Sequence, residues 1–308
     1  MTAPLSAPPT AQDAADAAAD TRPTSLPDAL RMGAVRLRVS DAARSTAFYS
    51  GVLGLTVLGT APDGVVRLGA GDETLIELEP VANARPRPRG TTGLFHVAIL
   101  VPDRPALALV LRRLIERGVR LGASDHLVSE ALYLDDPDGN GIEVYRDRSP
   151  RDWRWDGATV EMATYQLDMR SLLAELPADA DIAAPMPAGT VIGHVHLQVA
   201  DLTRARRFYV ERLGFAVTTD RYPGALFVSA GRYHHHLGLN IWQSRGGGPA
   251  PANSVGLAHF EIVLPDAEAV EAASERLRAA GESPSPIAHG FSIADPWGTR
   301  LHVVSRAG

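Results

Sequence analysis

The sequence predicts an α+β protein of four βαβββ modules in two homologous halves, with paired curved mixed sheets closing around shared cavities. Three observations carry this reading. Motifs of the first half return in the second at a near-constant spacing. Within each half, an alternating apolar strand pattern, an amphipathic helical stretch and three short strands follow one another twice. The 10 histidines gather at equivalent strand positions and in one run.

The elements follow in order. Residues 1–31, rich in Ala, Pro, Asp, Ser and Thr, read as a disordered N-terminal tail with transient helix around 11–19. Gly33-Ala34-Val35-Arg36-Leu37 then opens the first half and returns as Gly193-His194-Val195-His196-Leu197. Phe48-Tyr49 returns as Phe208-Tyr209, and Leu53-Gly54 as Leu213-Gly214. A second series matches Gly93-Leu94 and His96 to Gly256-Leu257 and His259, and Asp136-Pro137 to Asp295-Pro296. The modules run near 33–80, 92–147, 191–244 and 256–305. Each opens on an alternating strand, turns on an acidic or Pro-containing segment, and enters a helix: 42–53, 105–117, 203–213 and 267–279. Short strands separated by Gly, Asp or Pro turns complete it. The expected domains are 32–150 and 191–308, joined by a connection at 151–190 with one helix near 167–176. A single module is too small to bury its sheet face, so modules pair. Periodicity does not say which ones.

Composition excludes several function classes. The chain has 308 residues, 45% hydrophobic and 21% charged, enough for two cored domains. It has no cysteine, so disulfides, thiolate metal sites and thiol nucleophiles are absent. All 30 basic residues are arginine, which removes lysine Schiff bases and a Walker-type lysine. The net charge of −6 gives no general drive toward nucleic acid or anionic lipid. No apolar run approaches the roughly 20 residues that span a membrane, and no secretory signal pattern opens the chain. A cytoplasmic protein without nucleic-acid or membrane partners is expected; a homo-oligomer is compatible with this.

The histidines carry the chemistry. Position 34 is Ala, but its equivalents are His96, His194 and His259. Glu143 sits in the mostly apolar strand that closes the second module; such an acid must face water, find a partner or bind metal. The first module ends similarly at Glu77, and the fourth has His302 at the Glu143 position. Two neutral imidazoles and one carboxylate suit a non-haem Fe(II) face with open positions; Mn(II), Zn(II) or Ni(II) fit the same donors.

The runs Gly93–Leu100, Asp125–Leu134, Asp136–Tyr145, Ile192–Leu197 and Tyr233–Trp242 resemble the vicinal oxygen chelate superfamily, also called the glyoxalase, bleomycin-resistance and extradiol-dioxygenase superfamily. Within it the chain is similar to the catechol 2,3-dioxygenase branch, over nearly everything from 32 to 305. The resemblance implies metal-site cavities and a ligand set of two opening-strand histidines plus a closing-strand glutamate. His96, His194 and Glu143 meet that pattern by pairing modules two and three. His194, His259 and His302 would pair modules three and four, with histidine in place of the glutamate. The resemblance further implies that His126, His196, His235, His236 and Tyr145 surround the metal and handle protons or oxygen species. The implied reaction is extradiol cleavage of catechol or a substituted catechol by O2 with Fe(II), Mn(II) being an admissible substitute. Glyoxalase-type isomerisation or thiol transfer, using another divalent metal, and metal-free sequestration of a small molecule are the alternatives on this scaffold.

Overall fold

The computed structural model describes residues 25–306. The first half runs β1 (Arg31–Val39), α1 (Ala42–Phe48), β2 (Thr56–Thr60), β3 (Val66–Ala70), β4 (Glu73–Pro80), β5 (Gly93–Leu100), α2 (Arg104–Glu116), β6 (Gly122–Asp125), β7 (Ser129–Asp135) and β8 (Gly141–Asp147). The connection holds the short strands β9 (Trp155–Asp156), β10 (Thr159–Val160) and β11 (Tyr165–Gln166), then α3 (Met169–Leu173). The second half runs β12 (Val191–Gln198), α4 (Leu202–Arg206), β13 (Ala216–Thr219), β14 (Ala225–Ser229), β15 (Leu237–Asn240), β16 (Gly256–Leu264), α5 (Ala267–Ala279), β17 (Ser285–Ile287), β18 (Gly290–Ala294) and β19 (Arg300–Ser305). Helices α1 and α4 each continue into a π-helical turn, Tyr49–Leu53 and Arg207–Arg212. This places the helical stretches where the amphipathic pattern put them.

Two large mixed sheets result. One has the order β17-β18-β19-β16-β1-β4-β3-β2, the other β11-β6-β7-β8-β5-β12-β15-β14-β13. Each sheet therefore joins strands from both halves of the sequence. At each centre two opening strands pair antiparallel, β1 with β16 and β5 with β12. Each opening strand also lies parallel to a closing strand: β1 to β4, β5 to β8, β12 to β15 and β16 to β19.

The acidic turns read from sequence are N-caps. Asp41, Asp103, Asp201 and Asp266 accept from the backbone N–H of Arg44, Ala106, Arg204 and Ala269. Each such cap stabilises its helix by about 1 kcal/mol. Tyr49 donates to Asp136 at 3.1 Å, and Tyr209 to Asp295 at 3.0 Å. Both aspartates also accept backbone N–H groups of the tight turn before a closing strand, so these bonds lock the turns that aim β8 and β19. The buried Arg113 guanidinium likewise donates to the Leu53 carbonyl and Arg276 to that of Leu213.

The expected tail needs one correction. Residues 1–24, with the helix expected at 11–19, lie outside the described residues. Residues 25–31 are packed: Leu26 and Leu30 are buried, Leu26 N–H donates to the Gly214 carbonyl, and Arg31 opens β1. Burial of two leucines, the Leu26 backbone bond and the start of β1 together offset the cost of ordering the segment. Among the described residues no helix is long and apolar enough to cross a membrane.

Gly193 of β12 makes room for the Tyr145 side chain, which reaches over β5 from β8. A Cβ there would fall inside the Tyr145 hydroxyl and 2.7 Å from the Tyr145 ring carbon Cζ. Gly193→Ala is expected to cost about 1–3 kcal/mol through overpacking, read as a drop in chemical-denaturation midpoint. Gly248→Ala, which meets nothing within 4 Å, should leave the midpoint unchanged.

Candidate metal centre

Strands β8, β5 and β12 are neighbours, and their alternation separates two faces. Val97, Ile99, Ile142, Val144, Val195 and Leu197 enter the main apolar core. His96, Glu143 and His194 point to the opposite face. Ala98 pairs with Glu143 on one side and with His194 on the other. A methyl side chain between them leaves the carboxylate and the imidazole free to converge.

They do converge. His96 Nε2 and His194 Nε2 stand 2.9 and 3.1 Å from Glu143 Oε2, and 3.3 Å from each other. All three residues are buried, and among the described residues they form the one group of three such donors within 4.8 Å. Adjacent donors about 2.1 Å from one octahedral ion sit about 3 Å apart, so these donors fit one face of a single ion. Two imidazoles and one carboxylate on a face are the donor set of non-haem Fe(II).

The protonation states also suit ligation. Burial opposes ionisation of Glu143, yet the charge and hydrogen bonds of His194 and then His96 hold its carboxyl well below the usual range. Burial lowers His194 to about 4 against the pull of Glu143, so its ring is neutral near pH 7. His194 Nδ1 is buried without a hydrogen-bond partner among the described residues. Packing sets its orientation instead, with the His235 ring at 4.1 Å and the Tyr145 ring at 4.9 Å between centroids.

The donors open into a cavity of about 610 Å³ walled by Phe95, Leu121, Ile142, Phe227, Tyr222 and Trp242 among others. Of the remaining residues expected from sequence, His126, His196 and His235 line it, whereas His236 and Tyr145 do not. His126 Nδ1 donates to the Ala163 carbonyl at 2.7 Å, leaving Nε2 to accept from the Tyr133 hydroxyl at 2.7 Å. His196 Nε2 accepts from Asn240 Nδ2 at 3.0 Å; the amide is oriented by Trp242 N–H donating to its Oδ1. His236 Nδ1 faces Ser229 Oγ and the Ala230 N–H, away from the metal face. The Tyr145 hydroxyl bonds to Tyr233 at 2.7 Å.

Tyr133 was not singled out by sequence. Burial, and then the Glu143 charge, raise its hydroxyl well above 10, so it remains a proton donor beside the metal face. Its signal was the alternation of β7, in which 131 and 133 share a face. The alternative ligand set does not assemble. His259 and His302 lie in the other sheet with rings stacked at 3.8 Å and 22°, and do not join His194.

Comparisons with known proteins agree with this architecture. The family model described as Glyoxalase/Bleomycin resistance protein/Dioxygenase superfamily matches residues 31–144 and 191–303. A curated protein named catechol-2,3-dioxygenase, from Bacillus subtilis (strain 168), is 42% identical over 277 residues, covering 89% of this chain and 96% of that one. Two solved structures share the fold. A putative dioxygenase from Bacillus subtilis superposes with a TM-score of 0.63 at 15% identity, over 90% of this chain and 86% of its own. Glyoxalase I from Zea mays gives 0.54 at 19% identity, over 90% and 92%.

The buried histidines make stability depend on pH. Burial, then neighbouring His234 and His194, lower His236 to about 3; burial, then His302 and arginines, lower His259 to about 3. With His194 at about 4, all three titrate below the roughly 6.5 of an unfolded chain. Between those values the unfolded chain binds more protons, so stability falls as pH falls below about 6.5. The melting temperature of chelator-treated protein should therefore drop steadily from pH 7 to pH 5. A flat or rising melting temperature over that window contradicts the assignment.

Proposed function

The chain belongs to the Glyoxalase/Bleomycin resistance protein/Dioxygenase superfamily, and on that premise we propose that it is an extradiol dioxygenase cleaving catechol or a substituted catechol with Fe(II) and O2. The observation that carries this reading is the buried His96–Glu143–His194 face opening into a large, mostly apolar cavity. The name of the curated relative supports the same chemistry. The reading also takes the chain as four βαβββ modules in two domains, 32–150 and 191–308, with the working cavity between modules two and three.

His96, His194 and Glu143 would hold the ion. Bound Fe(II) would supply open positions for two vicinal oxygens and for O2, with one-electron chemistry that Zn(II) lacks. The chain's own residues do the remainder. Phe95, Phe227 and Trp242 give the ring an aromatic wall and keep bulk water from it. His126 holds the protonated Tyr133 hydroxyl beside Glu143. The ring-opened product is a muconic semialdehyde carrying both atoms of O2.

Protein reconstituted with Fe(II) under anaerobic conditions should consume one O2 per catechol and form a yellow product, whereas Zn(II)-loaded protein should not. Glu143→Gln preserves size but removes the charge. It should fold, lose most of its iron and lose at least about 100-fold in turnover; His96→Ala and His194→Ala should behave alike. His259→Ala and His302→Ala should keep their iron. Iron per folded monomer, measured beside O2 uptake, decides this. Full iron and activity in Glu143→Gln would remove the assignment. Glutathione-dependent isomerisation without O2 uptake, or tight ligand binding without metal, would replace the reaction class.

A further inference from the structure

Behind the metal face runs a second hydrogen-bonded chain that the proposed function does not use. Tyr145 and Tyr233 hydroxyls meet at 2.7 Å, and Tyr233 donates to Asp147 Oδ2 at 2.9 Å. Asp147 Oδ1 lies 2.8 Å from His234 Nε2. His234 Nδ1 lies 2.8 Å from Nδ1 of His235, which lines the cavity. The His234 side chain is fully buried, and that of Asp147 is 21% exposed.

The protons on this chain can be assigned one by one. A carboxylate only accepts, so Tyr233 O–H and His234 Nε2–H both donate to Asp147. Tyr233 then accepts from Tyr145. With a single ring proton, held on Nε2 by Asp147, His234 has a bare Nδ1 that must accept. His235 therefore carries its proton on Nδ1, and its Nε2 is a bare lone pair. That nitrogen is the one left to meet a ligand in the cavity. The other two cavity-lining histidines outside the metal face cannot present such a lone pair: His126 Nε2 is committed to Tyr133, and His196 Nε2 to Asn240.

We infer that Asp147 and His234 are positioning residues that fix the tautomer of His235, so that His235 Nε2 accepts a hydrogen bond from a hydroxyl of the substrate. Their role rests on the dioxygenase reading only for the identity of that substrate. The hydrogen-bond polarity follows from this geometry with one ring proton on each histidine, whatever the reaction. An acceptor at this point favours a ring bearing a free hydroxyl over its methyl ether, which has no proton to offer. The arrangement follows the general rule that a histidine's working nitrogen is set by what its other nitrogen bonds to.

The test reads the tautomer directly. Full-length protein loaded with diamagnetic Zn(II) is labelled with 15N-histidine, and long-range proton–nitrogen spectra are recorded at pH 7.5. Wild-type His235 should show a protonated Nδ1 and a bare Nε2. In Asp147→Asn the amide oxygen can stay opposite Tyr233, which turns the NH2 group toward His234. That reverses the chain and puts a proton on His235 Nε2. Turnover of Fe(II)-loaded Asp147→Asn with catechol should fall by roughly 10- to 100-fold, with iron content unchanged and KM shifted less than kcat. Asp147→Glu keeps a carboxylate and should recover the wild-type tautomer; Tyr233→Phe keeps Asp147 and should retain it. A protonated Nε2 in the wild-type protein overturns the inference without any variant. So does an Asp147→Asn protein with unaltered tautomer and turnover. If wild-type protein shows the expected tautomer but no ring cleavage, the reaction assignment fails and the polarity stands.

Discussion

The site rests on one row of residues across three hydrogen-bonded strands. Glu143 on β8, Ala98 on β5 and His194 on β12 are paired in register. Ala98 is fully buried and contributes only a methyl group, so the side chains flanking it lean together over it. His96, two residues earlier on β5, joins from the same face. A slip of one residue in either pairing would turn a ligand into the apolar core. The register shift in β12 between Ile192 and His194 is part of this constraint. Around it Gly193 yields its side-chain space to the Tyr145 hydroxyl, and Gly238 does the same for the His196 ring.

Concentrating imidazoles and a carboxylate in a buried volume is expensive unless each polar atom finds a partner. The observed solution is a set of separate short chains. His126 closes on Ala163 and Tyr133, His196 on Asn240, His236 on Ser229 and Ala230, and His234 on Asp147 and His235. These bonds tie the cavity to the sheet and determine which ring nitrogen carries a proton. The three metal donors differ. Their Nε2 and Oε2 atoms converge within 3.3 Å of one another, and with the ring protons on Nδ1 all three offer lone pairs to one cation. That is why the geometry reads as ligation rather than as another internal hydrogen-bond network.

Much of this was legible in the sequence. The repeat located the opening strands, the alternation placed His96, Glu143 and His194 on faces, and the acidic segments before the helices read as turns. Which opening strands pair was not legible, since antiparallel seams between β5 and β12 or β1 and β16 join residues far apart in the chain and leave no periodic trace. The roles of His126, His196 and His236 were equally hidden. Each depends on a partner—a backbone carbonyl, an amide or a hydroxyl—supplied by another strand or loop. Asp147 and His234 escaped notice because an acid at the end of a strand and one histidine among three adjacent ones look like ordinary surface and core residues. Leu26 and Leu30 fall within the tail by its composition, although their burial and a backbone bond to Gly214 dock that segment.

The second sheet shows what the Ala98 slot achieves. There the same register pairs Arg36 of β1 with Glu77 of β4, so Arg36 stands beside Glu77 as Ala98 stands beside Glu143. The Arg36 guanidinium reaches the Glu77 carboxylate at 2.8 Å and comes within 4.0 Å of Glu79. The carboxylate's counter-charge is thus attached to the chain. Nearby, His259 and His302 stack face to face instead of converging on a point. A half-buried carboxylate beside a built-in cation has little further affinity for a metal ion. A fully buried carboxylate beside a methyl group, with two imidazoles trained on the same space, has no arginine at its side to neutralise it. One fold therefore carries both answers to a carboxylate in a sheet. The residue in the slot next to it, arginine or alanine, decides whether the neutralising charge comes from the protein or from an ion.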